Sequence, residues 1–411
     1  MSEISKKKDY ITFKGAACIR QALQFSILSG KPVKISEIRS EDLDPGVNEY
    51  EMNLLKLIEK VTNGSIIDIN VSGTQIRFTP GVITNNNGDE VFYTNEEMQT
   101  QDRCLTYYLE FLLPVVLFGK ASFYGEFTGI TNDNIDMSAD TFRNCLLPML
   151  KHFGVEGATM EIKKRGLFPK GGGHISITVP YIRELNSLSL TDEGKVKKIR
   201  GTAYCCMRNN EVNTRVFTSA RGILNDYIPD VYIYTDNYKK DKCGLSKGFG
   251  ASLVAETTTE CLISADAIHH PEQTLDPEKL GESVAISLLE QIFNSGVSDV
   301  RIAPTIVLLM GLSNAENTSE IKLPSNIIQS DYMMNTLRYL NKFFSVKFKI
   351  SECEDDERDS ESDDNEENPK TEEITDKDDD LYKKADEIPR PEFHIFSCLG
   401  FGLQNMARKT E

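Results

Sequence analysis

Residues 163–173 read Lys-Lys-Arg-Gly-Leu-Phe-Pro-Lys-Gly-Gly-Gly. Lys163, Lys164, Arg165 and Lys170 bring positive charge to a stretch with unusual backbone freedom. Gly171, Gly172 and Gly173 have no Cβ, so their consecutive N–H groups suit a concavity that cradles an anion. The same glycines suit a tight turn into a strand, because Ile175, Ile177 and Val179 alternate directly after them. No Gly-Lys-Ser/Thr follows and the next element is a strand, which excludes a Walker loop and a dinucleotide-binding turn. Phosphate contact and a structural turn both remain open on these residues alone.

The other reactive residue types give no second centre. The nine cysteines show no Cys-x-x-Cys spacing and no pairing with histidine, so neither a zinc site nor a disulfide framework is expected. No metal and no cofactor are expected. His174 falls on the polar side of the strand after the glycines, His269 and His270 sit in a loop-like stretch, and His152 lies near a helix C-terminus. No Ser-His-Asp or Cys-His constellation appears. Two further basic clusters, Lys195/Lys197/Lys198/Arg200 and Lys239/Lys240/Lys242/Lys247, read as solvated lysines or as a phosphate-backbone footprint. Phe168, Tyr204, Tyr238 and Phe249 lie near these clusters and allow base stacking without specifying it.

Helix–strand units must position these groups. Residues 54–73, 146–166 and 336–351 each run from an apolar helical pattern through a break into an alternating strand. Leu146, Leu147, Leu150 and Phe153 are spaced for one helix face, with Gly154 placed as its C-terminal cap. Ile67, Ile69 and Val71 alternate with polar residues. Residues 220–236 repeat the order a fourth time. The expectation is an α/β (α+β) protein built from repeated units, with helices covering sheets.

The net charge of −17 is concentrated in one place. Residues 352–387 hold 19 Asp/Glu and 5 Lys/Arg, leaving the rest of the chain close to neutral. Such a block cannot bury a core and is expected to be disordered, either as a solvated insertion or as a loop that docks on a basic partner. The acidic balance therefore does not exclude nucleic-acid binding by the folded part. The N-terminus shows no apolar signal region, and the apolar run around residues 107–119 is too short to span a bilayer and contains Pro114. A cytosolic or nuclear chain with reduced thiols and no membrane contact is expected.

The stretch Arg165–Ile175 resembles the signature of the RNA 3′-terminal phosphate cyclase family. The resemblance extends to 13–46, with Arg20, Gly30-Lys31-Pro32, Arg39 and Pro45-Gly46 in matching places, and to 127–154, 195–207 and 244–258. The stretches "GITNDNIDMSAD", "IPDVYIYTD" and "FGASLVAET" are similar to the eukaryotic, non-cyclase branch of that family. The resemblance implies three helix–strand repeats with a small inserted α/β domain. The implied division is 1–184 for the first two repeats, 185–277 for the insert, 278–351 for the third repeat, 352–388 for the acidic insertion and 389–411 for the closing segment. It makes Arg20, Arg39, Arg165, Lys170 and Gly171–Gly173 the candidate residues for anion or RNA contact.

The departures from the family are chemical. The resemblance places the histidine that takes AMP from ATP at or next to Arg301, and no histidine occurs between His270 and His394. Arginine stays protonated and cannot serve as that nucleophile. The acidic and amide residues of the cyclase N-terminal loop are replaced by Phe13-Lys14-Gly15-Ala16-Ala17, and Tyr50 stands near the place of a glutamine. Cyclase activity is therefore not expected. The resemblance implies a nucleolar ribosome-biogenesis factor for the small (40S) subunit, acting in early 18S pre-rRNA processing within the U3-containing processome. The partners it implies are a GTPase, the U3 small nucleolar ribonucleoprotein and pre-rRNA. The alternative is a pre-rRNA endonuclease. Arg338 and Lys342, four apart in a helical pattern, are then the candidates for stabilising a cleaved phosphate.

Overall fold

The computed structural model describes residues 9–85, 92–93, 103–238, 240–270, 275–353 and 391–405. Three four-stranded sheets repeat one topology. The first unit runs β1 (Ile11–Lys14), α1 (Ile19–Ser29), β2 (Val33–Ser36), α2 (Glu49–Val61), β3 (Ile66–Ile69) and β4 (Ile76–Thr79), with strand order β1-β2-β4-β3. The second runs β5 (Phe92–Tyr93), α3 (Leu105–Val116), β6 (Phe123–Gly129), a helical run over 139–153 (α4), β7 (Thr159–Lys164) and β8 (Gly173–Val179), in order β5-β6-β8-β7. The third begins with β9 (Ser189–Leu190).

An inserted unit follows β9: β10 (Val196–Cys206), α5 (Glu211–Leu224), β11 (Val231–Tyr238), β12 (Gly248–Thr257), β13 (Leu262–Ile268) and α6 (Pro277–Asn294). Its sheet order is β11-β10-β12-β13. The third unit then resumes with α7 (Ala303–Leu312), β14 (Thr318–Pro324), a helical run over 331–344 (α8), β15 (Lys349–Glu352) and β16 (Phe393–Leu399), in order β9-β14-β16-β15. In every unit the first two strands are parallel and the rest antiparallel.

The segments 54–73, 146–166 and 336–351 fall on the same part of each unit, the second helix followed by the third strand. Local chemistry fixes the ends. Asn48 and Glu51 form a reciprocal capping box on α2. Ser138 Oγ accepts from the Thr141 N–H at the start of α4. Gly154 closes that helix at φ 78°, a left-handed position that costs a residue without Cβ least. Ile67 and Ile69 pack against the core as their alternation requires, whereas Val71 lies beyond the strand, exposed in the turn.

One apolar core runs through all three units, from Phe25 and Leu54 through Phe111 and Phe153 to Phe343 and Phe396. Polar side chains of α1 join the units: Gln21 Nε2 donates to Thr336 Oγ1 at 2.9 Å and Gln24 Nε2 to the Phe111 carbonyl at 2.9 Å. A second core holds the insert.

The burial pattern bears on the expected bounds of the insert, 185–277. Leu185, Leu188 and Leu190 are buried in the main core, and Ser189–Leu190 pairs with Glu320–Ile321. Leu280, Val284, Ala285 and Leu288 of α6 are buried in the second core instead. We therefore propose 196–294 as the inserted unit, because burial assigns α6 to it and β9 to the third repeat. The acidic block falls within the connection from β15 to β16, and its expected disorder concerns residues outside those described. Among the described residues no helix is long and apolar enough to cross a membrane.

Candidate functional site

The glycine segment is a seam between the second unit and the insert. The Arg165 N–H donates to the Lys242 carbonyl at 3.1 Å, the Gly244 N–H to the Arg165 carbonyl at 2.6 Å, and the Leu245 N–H to the Gly171 carbonyl at 2.8 Å. The Lys170 N–H donates to Ser246 Oγ at 2.9 Å, while the Lys170 side chain is exposed. A Cβ on Gly166 would overlap the Gly173 nitrogen, and one on Gly244 would overlap the Gly171 carbonyl oxygen. Gly173 itself opens β8, opposite Gly129. Of the two openings left by the sequence, this geometry supplies the reason for the turn: the glycines let three backbone segments touch.

Arg165 is the candidate most enclosed by its own chain. It is fully buried, and its guanidinium donates to both oxygens of the equally buried Asp140, at 2.5 and 2.9 Å, and to Asn132 Oδ1 at 2.9 Å. The guanidinium carbon lies 3.9 Å from the Tyr204 ring centroid and 5.2 Å from that of Tyr238. Burial alone pushes the Asp140 carboxyl upward, but the Arg165 charge and its hydrogen bonds outweigh it and hold the pKa below the ordinary aspartate value. These contacts pin α4 to β7 and to the insert, while Arg165 Nε is buried with no hydrogen-bond partner.

Arg20 and Arg39 belong to a different network. Arg39 donates to both Glu51 oxygens at 2.8 Å, to the Gly46 carbonyl at 2.9 Å and to Tyr50 Oη at 3.2 Å. The Tyr50 ring meets the Tyr107 ring edge-on at 5.5 Å. Arg20 lies over Tyr107 at 4.7 Å, donates to Tyr332 Oη at 2.7 Å and pairs with Glu110 at 3.0 Å. Burial disfavours its charge, and Glu110 and the tyrosines more than offset that, so its pKa is raised.

Sequence reasoning missed Arg103, which completes this group. It lies 4.5 Å from the Tyr107 ring centroid and forms a two-pronged pair with Asp136. A lone arginine ahead of an apolar helix carries no periodic signal, and of its neighbours only Tyr107 is close in the chain, Tyr50 and Asp136 coming from elsewhere.

Arg301 Nη1 donates to Asp266 Oδ2 at 2.9 Å, and its backbone N–H to Asp299 Oδ1 at 2.7 Å. Asp266 also accepts from Thr141 Oγ1 at 2.7 Å, which ties the insert to α4. His174 Nε2 lies 3.0 Å from Glu126 Oε2, and Lys163 pairs with the same carboxylate. His269, expected in a loop at the surface, is buried and stacked on Phe249. Of the second basic cluster, Lys198 pairs with Glu256 and Arg200 with Asp230. Lys239 of the third cluster lies outside the described residues.

Arg338 and Lys342 are exposed on α8, which widens to a π-turn over Leu340–Phe344. Lys342 Nζ donates to the Thr12 carbonyl at 3.0 Å and sits 4.2 Å from the Phe13 ring centroid. Tyr339, between them, is buried against Phe13 and Phe25.

The predicted residues thus split into two groups. Arg20 and Arg39 share the Tyr50–Tyr107 cluster with Arg103, whereas Arg165, Lys170 and Gly171–Gly173 form the seam with the insert. Arg20, Arg39, Arg103, Arg165 and Arg301 are each matched by a carboxylate of this chain.

The sequence profile of RNA 3′-terminal phosphate cyclase matches residues 11–350. A Dictyostelium discoideum protein named probable RNA 3′-terminal phosphate cyclase-like protein is 37% identical over 97% of this chain and 100% of its own length. The mouse RNA 3′-terminal phosphate cyclase-like protein is 39% identical over 83% of this chain and 90% of its own. A Schizosaccharomyces pombe relative named rRNA processing protein rcl1 is 35% identical over 83% of this chain and 92% of its own. With a repeated architecture to carry the signature and relatives matched over most of their length, the chain belongs to the RNA 3′-terminal phosphate cyclase family.

Proposed function

We propose that this protein acts in rRNA processing as a non-catalytic scaffold derived from the cyclase fold. The finer reading is assembly of the small (40S) subunit and early 18S pre-rRNA processing. It places the protein in the nucleolus, within the U3-containing processome, with a GTPase partner. The name of the fission-yeast relative supports the rRNA link, and the sequence resemblance supports the finer parts.

One observation carries the non-catalytic part. Where the resemblance expects a nucleophilic histidine, Arg301 holds its guanidinium in an ion pair with Asp266. A protonated guanidinium has no lone pair to attack a phosphate. Incubation of the purified protein with ATP labelled on the α-phosphate, followed by denaturing electrophoresis, tests this. No label is expected on the protein, and a covalent adduct would overturn the reading. Depletion in cells is expected to accumulate 18S precursors, and normal 18S maturation would overturn the rRNA part.

The endonuclease reading has one observation in its favour, the exposure of Arg338 and Lys342 on one helix. Cleavage by 2′-OH attack needs a base, and burial raises the pKa of neighbouring Tyr339, leaving it protonated at neutral pH. Site-specific cutting of a pre-rRNA fragment by the purified protein, lost in Arg338→Ala with the fold intact, would establish the enzyme. Absence of cutting supports the scaffold.

A further inference from the structure

The insert's β11 is an edge strand without the usual protection. It is the terminal strand of its sheet, hydrogen-bonded only to β10 among the described strands. Its inner side is fixed by the Ile199 N–H donating to the Asp230 carbonyl at 2.9 Å and the Met207 N–H to the Tyr238 carbonyl. Even-numbered residues therefore face β10, and the N–H and C=O groups of Val231, Ile233, Thr235 and Asn237 face outward.

Several other edges carry charge. Outer strand β7 contains Glu161, Lys163 and Lys164, β15 has Lys349 and Glu352, and β3 has Asp68 paired with Arg77. Such charges blunt pairing with foreign strands. The stretch Val231-Tyr232-Ile233-Tyr234-Thr235 carries no charge and no proline. Tyr232 and Tyr234 stand more than half exposed on the same face, ring centroids 4.6 Å apart.

We propose that β11 receives an extended strand from a partner protein, adding it to the sheet, with apolar side chains of the partner packed on Tyr232 and Tyr234. Charge sets the rest of the partner's chemistry. Asp230 is already held by Arg200, whereas Asp236, on the face of the two tyrosines, has no ion pair among the described residues, which favours a strand with apolar residues against the tyrosines and one basic residue at the Asp236 end. A second copy of this chain fits worse. Antiparallel self-pairing about Ile233 sets Asp230 opposite Asp236 at both ends, two carboxylates against the single guanidinium of Arg200. Single-stranded RNA fits worse as well, because Lys198 and Arg200, the cations of that face, are already paired with Glu256 and Asp230. This docking edge does not depend on the rRNA reading.

The probe is a synthetic peptide Thr-Thr-Val-Thr-Val-Thr-Arg added to the full chain, with amide hydrogen exchange read across β11. Exchange at Val231, Ile233 and Thr235 is expected to slow by about tenfold. A peptide with glutamate in place of the arginine is expected to bind at least about tenfold more weakly, as is the first peptide to Tyr234→Lys. Thr235→Lys serves as a second variant if Tyr234→Lys unfolds. Four outcomes overturn the proposal: no protection by the basic peptide, equal binding of the two peptides, protection of the same amides by dimerisation alone, and displacement of the peptide by oligouridine.

Discussion

Arg165 and Asp140 share two hydrogen bonds, at 2.5 and 2.9 Å, with both side chains wholly withdrawn from solvent. The basic residue that stands foremost in the signature is therefore internal mortar. Removing one partner strands the other charge in the interior. Asp140→Ala is expected to cost about 3–5 kcal/mol in urea unfolding at pH 7. Arg165→Met combined with Asp140→Leu is expected to cost much less. Because the folded-state pKa of Asp140 is depressed, its contribution is complete above the unfolded aspartate value. It is lost only as pH falls through the lower folded value. The stability gap between wild type and the double variant should thus stay flat from pH 7 down to about pH 5 and shift only in stronger acid.

The glycines make an opposed pair of predictions. Gly244 has no room for a Cβ, which would strike the Gly171 carbonyl oxygen across the seam. Gly244→Ala should destabilise by about 1–3 kcal/mol and speed proteolysis at the insert's junction. Gly222, exposed on α5, meets nothing within 4 Å. Gly222→Ala should stabilise by about 1 kcal/mol, from helix propensity alone. Thermal unfolding of both variants checks the contrast.

The repeats were legible because they rest on local periodicity. The apolar spacing of Leu146, Leu147, Leu150 and Phe153, with Gly154 as cap, marks α4 whatever packs on it. The proposed boundary of the insert at 294 was not legible, since α6 is amphipathic and its sequence does not say which sheet it covers. Nor was the fate of Arg165: charge beside glycine reads as an anion site until Asp140, 25 residues earlier in the chain, is seen to fill it. Arg103 escaped for a related reason: Tyr107 is only four residues on, but Asp136 reaches it by tertiary contact alone.

Asp133 is a buried carboxylate with an uneven environment. Its Oδ1 accepts the N–H groups of Ile135 and Asp136, while Oδ2 has no hydrogen-bond partner. Burial, and then the nearby Asp136 charge, raise its pKa. The folded state holds this proton to higher pH than the unfolded chain, so the group's contribution falls as pH rises through the folded value. Asp133→Asn keeps the Oδ1 acceptor and removes the charge. The variant should melt higher than wild type at pH 7, with the difference closing below about pH 4.

Glu51 tests whether the arginines of the Tyr50–Tyr107 cluster are saturated. It holds Arg39 by two bonds of 2.8 Å and accepts the Asn48 N–H at 2.8 Å, so one side chain neutralises the arginine and caps α2. Glu51→Ala should cost about 2–3 kcal/mol, less than a fully buried pair because Arg39 is partly exposed. The freed guanidinium would then have room and reason to take an anion. Inorganic phosphate, compared with chloride at equal ionic strength, should raise the melting temperature of the variant and leave wild type unchanged. An equal rise in wild type would mean that Arg39 still offers a face to anions despite Glu51, and the Tyr50–Tyr107 cluster would then have to be read as a phosphate site rather than a self-neutralised one.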